Sequence, residues 1–181
     1  VREGGDFREL EELARHCDII TFHTPLDAST YHLVDDTLID MMHDNAVIIN
    51  ASRGGVVDNI AVMRSGHRYY FDVWEGEPNV EQSLASGAAF ATPHIAGYSE
   101  QGKANATAAV VGAVARYFGL PLNGWYPSGV ESVEARLISW NEMCDTIDDY
   151  FDAHSESEHF KCHLADFEQL RNSYRYRKEY F

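Results

Sequence analysis

Ala46-Val47-Ile48-Ile49-Asn50-Ala51-Ser52-Arg53-Gly54 decides how this chain is read. Its apolar, β-branched start reads as a short buried strand, and its polar end reads as the loop that leaves it. Arg53 then falls just past a strand end, where ligands bind in open parallel α/β sheets. The same pattern recurs on both sides. Upstream, Asp18-Ile19-Ile20-Thr21-Phe22 reads as a buried strand ending at His23-Thr24-Pro25. Downstream, Tyr69 to Val73 leads into Asp72-Val73-Trp74-Glu75-Gly76-Glu77-Pro78, and Ala89 to Thr92 leads into Thr92-Pro93-His94-Ile95-Ala96-Gly97. Short apolar strands alternating with helical stretches predict an α/β fold, a parallel sheet covered by helices.

The helical stretches follow from periodicity and end signals. Asp6 to Cys17 reads as a helix, with Asp6 and Glu9 at capping-box spacing and Leu10, Leu13, Ala14 and Cys17 as one stripe. Asp36 to Met42 is a short one. Ser99 to Phe118 is a long alanine-rich helix stopped by Gly119 and Pro121. Leu120 to Gly129 is rich in turn formers and marks a boundary. Beyond it, Val133, Leu137, Trp140, Cys144, Ile147 and Phe151 alternate at four and three, the stripe of an amphipathic helix, and a second helix is expected from about Ala165 to Tyr180. Helices with so little core of their own need a partner subunit or the first domain to cover them. Asp58 is placed to cap a helix, yet Gly66 follows too soon for an ordinary crossover. No Gly-x-Gly-x-x-Gly precedes the first helix either. Both features point to a fragment or to missing loop residues; the alternative for the first is a naturally short helix.

Composition narrows the function. The 181 residues are 45% hydrophobic and carry a formal charge of −15, which argues against nucleic acid and anionic membrane surfaces as partners. No apolar run reaches the ~20 residues that span a bilayer. Three cysteines, Cys17, Cys144 and Cys162, lie far apart with no Cys-x-x-Cys, so the expectation is free thiols and a reducing cytoplasm. His154, His159, Cys162 and His163 sit in an acidic, polar run that reads as a solvated segment between helices, and no metal is expected.

Arg53, Glu77 and His94 are the chemically capable side chains at the strand ends, and they are predicted to meet in one cleft. An imidazole can take the proton of a hydroxyl near neutral pH. A carboxylate beside it would orient the ring and stabilise the imidazolium. An arginine can grip a carboxylate through two parallel hydrogen bonds. Together they suit oxidation of a hydroxy acid.

The motifs His23-Thr24-Pro25-Leu26, Asn50 to Gly54, Asp72 to Pro78 and Thr92 to Ile95 stand in the order found in the NAD-dependent D-2-hydroxyacid dehydrogenases, and residues 1–118 resemble that family. Val56-Val57-Asp58-Asn59, the run from Pro93 to Ser99 leading to Gly102-Lys103, and more loosely Phe167 to Tyr174, are similar to the branch that oxidises 4-phospho-D-erythronate. The resemblance implies a Rossmann-type NAD-binding catalytic domain, partial, over residues 1–119. It implies a C-terminal dimerisation domain over 120–181 and a homodimer. It implies Arg53 and Glu77 as catalytic, His94 as proton donor or acceptor, Thr24, Asp72 and Gly97 as contacts to NAD, and Tyr98 as a contact to the phosphorylated substrate. The alternatives are another member of the family, such as one acting on 3-phosphoglycerate, or a corepressor-like scaffold that senses NAD without turnover.

Overall fold

The computed structural model describes residues 7–132 and 136–179. They form two compact units: one drawn from residues up to His94 together with His154–Asn172, the other from Ile95–Ala153 and from Ser173 onward. The units do not follow chain order: residues 95–119 group with the segment after them, and His154–Asn172 group with the first unit.

The first unit is built on four parallel strands, β1 (Ile19–Phe22), β2 (Val47–Asn50), β3 (Arg68–Phe71) and β4 (Phe90–Ala91), in the spatial order β1-β2-β3-β4. Asn50 stands level with Phe22 on one side and Phe71 on the other. Spatial order therefore equals sequence order, and the loops leaving the four strands follow one another along a single sheet edge. Helices α1 (Leu10–His16), α2 (Asp36–Ile39), α3 (Asn59–Ser65) and α4 (Gln82–Gly87) touch in succession. That is the layer expected when consecutive parallel strands are joined by crossovers of one hand. Ile20, Phe22, Ile48, Val62, Phe71 and Leu84 lie in the core between them. β2 is buried as its apolar run requires. β1 instead alternates, with Ile19 60% exposed and Ile20 buried.

The short crossover closes. Asp58 caps α3, accepting from the amides of Ile60 and Ala61 at 2.8 and 3.2 Å, and Gly66 ends it in the left-handed region at φ +73°. A 3₁₀ turn at Gly54–Val56 and the seven residues of α3 carry the chain from β2 to the parallel β3. For the sequence as it stands, this seven-residue helix makes the crossover. At α1, Glu9 stands at the cap position but makes no side-chain cap bond, and Asp6 lies outside the described residues.

The tail reaches back to this unit. Helix α7 (Ala153–Cys162), a 3₁₀ turn at Leu164–Asp166 and helix α8 (Phe167–Ser173) bring Phe160, Leu164 and Phe167 into the same core. Phe160 packs between Trp74, 5.7 Å away between ring centres, and Phe167, at 5.8 Å. Ser157 accepts a hydrogen bond from the amide of Ala91 at 3.0 Å. β4 is the last strand of the sheet, and the hydroxyl satisfies a buried backbone donor on it. The stretch expected to be a solvated segment between helices is itself largely helix: His154, His159, Cys162 and His163 are exposed as expected, while Ser157 and Phe160 are buried. Its face holds one large apolar residue and a serine, a pattern without the stripe that periodicity detects. The second expected helix ends at Ser173 rather than near Tyr180, which lies outside the described residues.

In the other unit, Ser99 caps α5 (Glu100–Phe118) through a bond from Gly102 N at 3.0 Å, and Gly119 ends it at φ +65°. This is the long helix read from the sequence. Ser139 caps α6 (Trp140–Tyr150) by accepting from Glu142 N. The apolar stripe is only partly on it: Val133 lies outside the described residues, and Leu137 precedes the helix and is fully exposed. Trp140 is 74% exposed, while Cys144 and Ile147 are half-buried.

Candidate active site

The loop after β2 is shaped by Asn50. Its buried side chain accepts from the amide and hydroxyl of Ser52 at 3.1 and 2.8 Å and donates to the carbonyl of Arg53 at 2.9 Å. A buried amide satisfied on both ends holds a loop without a helix or ladder. Arg53 projects from this loop, with Nη1 donating to its neighbour's carbonyl, Ser52 O, at 2.7 Å. Gly54 then runs against the loop after β3. A Cβ there would sit 1.9 Å from the carbonyl carbon of Trp74, so only glycine permits the approach.

The loop after β3 carries Glu77, and both carboxylate oxygens are held. Oε1 accepts from the amide of Trp74 at 2.7 Å, and Oε2 accepts from His94 Nδ1 at 2.8 Å. A carboxylate oxygen accepts, so Nδ1 is the donor in this bond, and the tautomer that carries its proton there leaves Nε2 as the acceptor. His94 itself has φ +59°, a conformation that costs free energy in a residue bearing Cβ. Its amide donates to Asp72 O at 2.8 Å, which fixes the end of β4 against the end of β3. Side-chain exposure is 23% for His94 and 21% for Glu77: sheltered, yet reachable.

Arg53, Glu77 and His94 line one cavity of about 260 Å³, with Leu26, Tyr31, Gly54, Gly55, Trp74, Glu75 and Gly76. The three residues singled out in the sequence are thus brought together. Of the others, Asp72 is buried and accepts from Thr92 Oγ1 at 2.7 Å. Thr24 stands past the end of β1, and its hydroxyl oxygen is buried without a hydrogen-bond partner among the described residues. Gly97 and Tyr98 follow in the second unit, where the amide of Tyr98 closes a turn on Ile95 O at 2.9 Å.

Sequence reasoning missed a second polar cluster on the cavity wall. Glu75 Oε1 accepts from Tyr31 OH at 3.1 Å and from His32 Nε2 at 3.0 Å, and the two rings stack at 4.0 Å. The hydrogen bond to Glu75, and then its charge, push the Tyr31 phenol above its ordinary pKa. Glu75 lies within a quoted motif and was open to notice; Tyr31 and His32 stand in a loop with no pattern to mark them.

The site can accept a proton at His94 Nε2 and hold an anion at Arg53. A dinucleotide fits the same edge: the orphaned Thr24 hydroxyl and the Asp72 carboxylate sit at the ends of β1 and β3, on either side of the Arg53 loop. A buried hydroxyl with no protein partner leaves a hydrogen bond that a ligand or a water can supply. Among the described residues no group of three or more His, Cys, Asp or Glu side chains is placed to hold a metal.

Residues 1–96 match the family model described as D-isomer specific 2-hydroxyacid dehydrogenase, NAD binding domain. The chain belongs to that family. This member is 50% identical over 124 residues to erythronate-4-phosphate dehydrogenase of Ectopseudomonas mendocina (strain ymp), an alignment covering 66% of the chain and 33% of the relative. It is 46% identical to the enzyme of the same name from Escherichia coli O81 (strain ED1a), over 64% of the chain and 33% of that relative. The chain spans about a third of the length of the curated relatives it matches. Among solved structures it is similar to a glyoxylate reductase from Paecilomyes thermophila, with 25% identity and a TM-score of 0.54, covering 63% of the chain and 36% of that protein. The four-stranded parallel sheet is the dehydrogenase family's NAD-binding α/β fold.

Proposed function

We propose that this dehydrogenase chain carries the nucleotide-side half of an enzyme that oxidises 4-phospho-D-erythronate at C2, giving 2-oxo-3-hydroxy-4-phosphobutanoate, a step of vitamin B6 biosynthesis. The observation that carries the chemistry is the 2.8 Å bond from His94 to Glu77 in a cavity that Arg53 also lines. The choice of substrate rests on the 50% identity to a relative named for it. When bound, NAD supplies the acceptor for the hydride leaving C2. His94 Nε2 takes the proton of the 2-hydroxyl, and Glu77 stabilises the imidazolium that results. Arg53 holds the substrate carboxylate and polarises the 2-oxygen. Thr24, Asp72 and Gly97 are the proposed contacts to NAD, and Tyr98 to the substrate.

The direct test follows NADH formation by the full-length protein with 4-phosphoerythronate, beside 3-phosphoglycerate. Preference for 3-phosphoglycerate would reassign the substrate, and turnover of neither would favour an NAD-sensing scaffold. No helix among the described residues is long and apolar enough to cross a membrane. The three free cysteines support a reducing, cytoplasmic setting. A homodimer formed through residues 120–181 remains the proposed assembly, supported by the exposed Leu137 and Trp140.

A further inference from the structure

We propose that Arg177 is a positioning residue, holding the segment after His94 in the geometry that its Gly97 and Tyr98 need. The proposal rests on the roles suggested above for those two residues. Arg177 lies in the extended tail that follows α8. Nη1 donates to Ile95 O at 3.3 Å and to Tyr98 O at 3.4 Å, and Nη2 donates to Ala96 O. Three peptide oxygens of one turn thus converge on a single guanidinium. Converging carbonyl dipoles repel one another, and a planar cation with several donors relieves that repulsion in a way one point charge does not. The choice of partner is informative. The chain holds 29 Asp and Glu against 14 Lys and Arg, yet this arginine is placed on uncharged carbonyls.

The backbone repeats the attachment. The amide of Glu100 donates to Arg177 O at 2.9 Å, within a parallel bridge between Ser99 and Arg177. Two residues on, the amide of Glu179 donates to Oε1 of the buried Gln101 at 2.9 Å, and Ser99 Oγ donates to the Glu179 carboxylate. Ser99 is the same residue that caps α5, so the tail is fastened to the start of that helix as well as to the turn before it. Tyr176 packs edge-on against Tyr98 with ring centres 5.3 Å apart. His94 needs none of this: its ring is held by Glu77 and its amide by Asp72. Arg177 therefore governs binding by the segment rather than the proton transfer.

The experiment uses the full-length protein with Arg177→Ala, Arg177→Lys and, as control, Lys178→Ala. Hydrogen–deuterium exchange over residues 95–101, NADH affinity by fluorescence titration, and steady-state constants are read on each. For Arg177→Ala, exchange of the segment accelerates about 10-fold, and the NADH Kd and the KM of the hydroxy acid each rise about 10-fold. Its kcat stays within about 3-fold and the pH midpoint of kcat does not move. Arg177→Lys recovers part of the loss, and Lys178→Ala matches the wild type. Unchanged exchange in Arg177→Ala overturns the proposal. So does faster exchange with unchanged Kd and KM, or faster exchange spread over the whole protein, which would mean a stabilising role only. A wild-type protein that neither binds NADH nor turns over a hydroxy acid overturns the proposed function instead; the exchange data then decide whether Arg177 holds the 95–101 segment.

Discussion

The loops at the strand ends and the returning segment His154–Asn172 belong to the same compact unit, and they treat polar side chains in opposite ways. In the loops, polar groups are bonded to one another at partial exposure: Glu77 to His94, and Glu75 to Tyr31 and His32. In the returning segment one polar group, Ser157, is sunk to 2% exposure to satisfy an edge strand, and the rest of the inward face is Phe160, Leu164 and Phe167. Removing a loop group should cost chemistry and leave the fold intact. Removing a returning-segment group should cost the fold.

The largest expected effect is on the loop side. His94→Ala lowers kcat by roughly 10²–10⁴-fold, the usual worth of a positioned acid–base group, while NAD affinity and melting temperature hold. Stopped-flow and calorimetric measurements on one preparation check both halves of that statement. Phe160→Ala is the counterpart: a loss of about 3–5 kcal/mol in unfolding free energy, because the ring sits between two others in a filled core. Should urea unfolding show Phe160→Ala to be neutral, the segment does not belong to that core. Arg53→Lys should lower kcat/KM on the order of 10²-fold with unchanged stability, since the ammonium lacks the two-pronged geometry. Ser157→Ala should cost about 1–3 kcal/mol, the penalty of leaving the Ala91 amide buried and unpaired. Smallest in stability is the pair Leu137→Ser and Trp140→Ser, within about 0.5 kcal/mol at such exposed positions. Sedimentation of that double variant tests the proposed dimer directly. Truncation at Gly119 would not, because it also strips Phe160 and Phe167 from the first unit.

This contrast also explains what could be read from the sequence. β1 and β2 announced themselves by consecutive β-branched residues and β3 by aromatic ones, and Arg53, Glu77 and His94 by standing in the loops that follow β2, β3 and β4. Their convergence then followed from the strand order, which sets neighbouring strand ends ~5 Å apart. Ser99 and Gly119 marked the long helix by local rules at both ends. Nothing local marks Ser157 or Phe160. Their partners lie tens of residues away, and a serine followed three places later by one aromatic makes no stripe. Leu137 shows the converse: its spacing fits the α6 stripe, but Ser139 caps the helix two residues later and leaves it outside. Arg177 was invisible for the same reason as Ser157, since three carbonyls carry no side-chain signature.

The partner that Ser157 gives β4 has a consequence for how the chain is made. The serine follows Ala91 by 66 residues. At about 5–20 residues per second, a ribosome needs roughly 3–13 s to deliver it after the strand. Throughout that interval the edge strand lacks this partner and Trp74 lacks its Phe160 cover. Until Ser157 arrives, the Ala91 amide can pair only with water, so this edge of the sheet is completed after the strands themselves have been made.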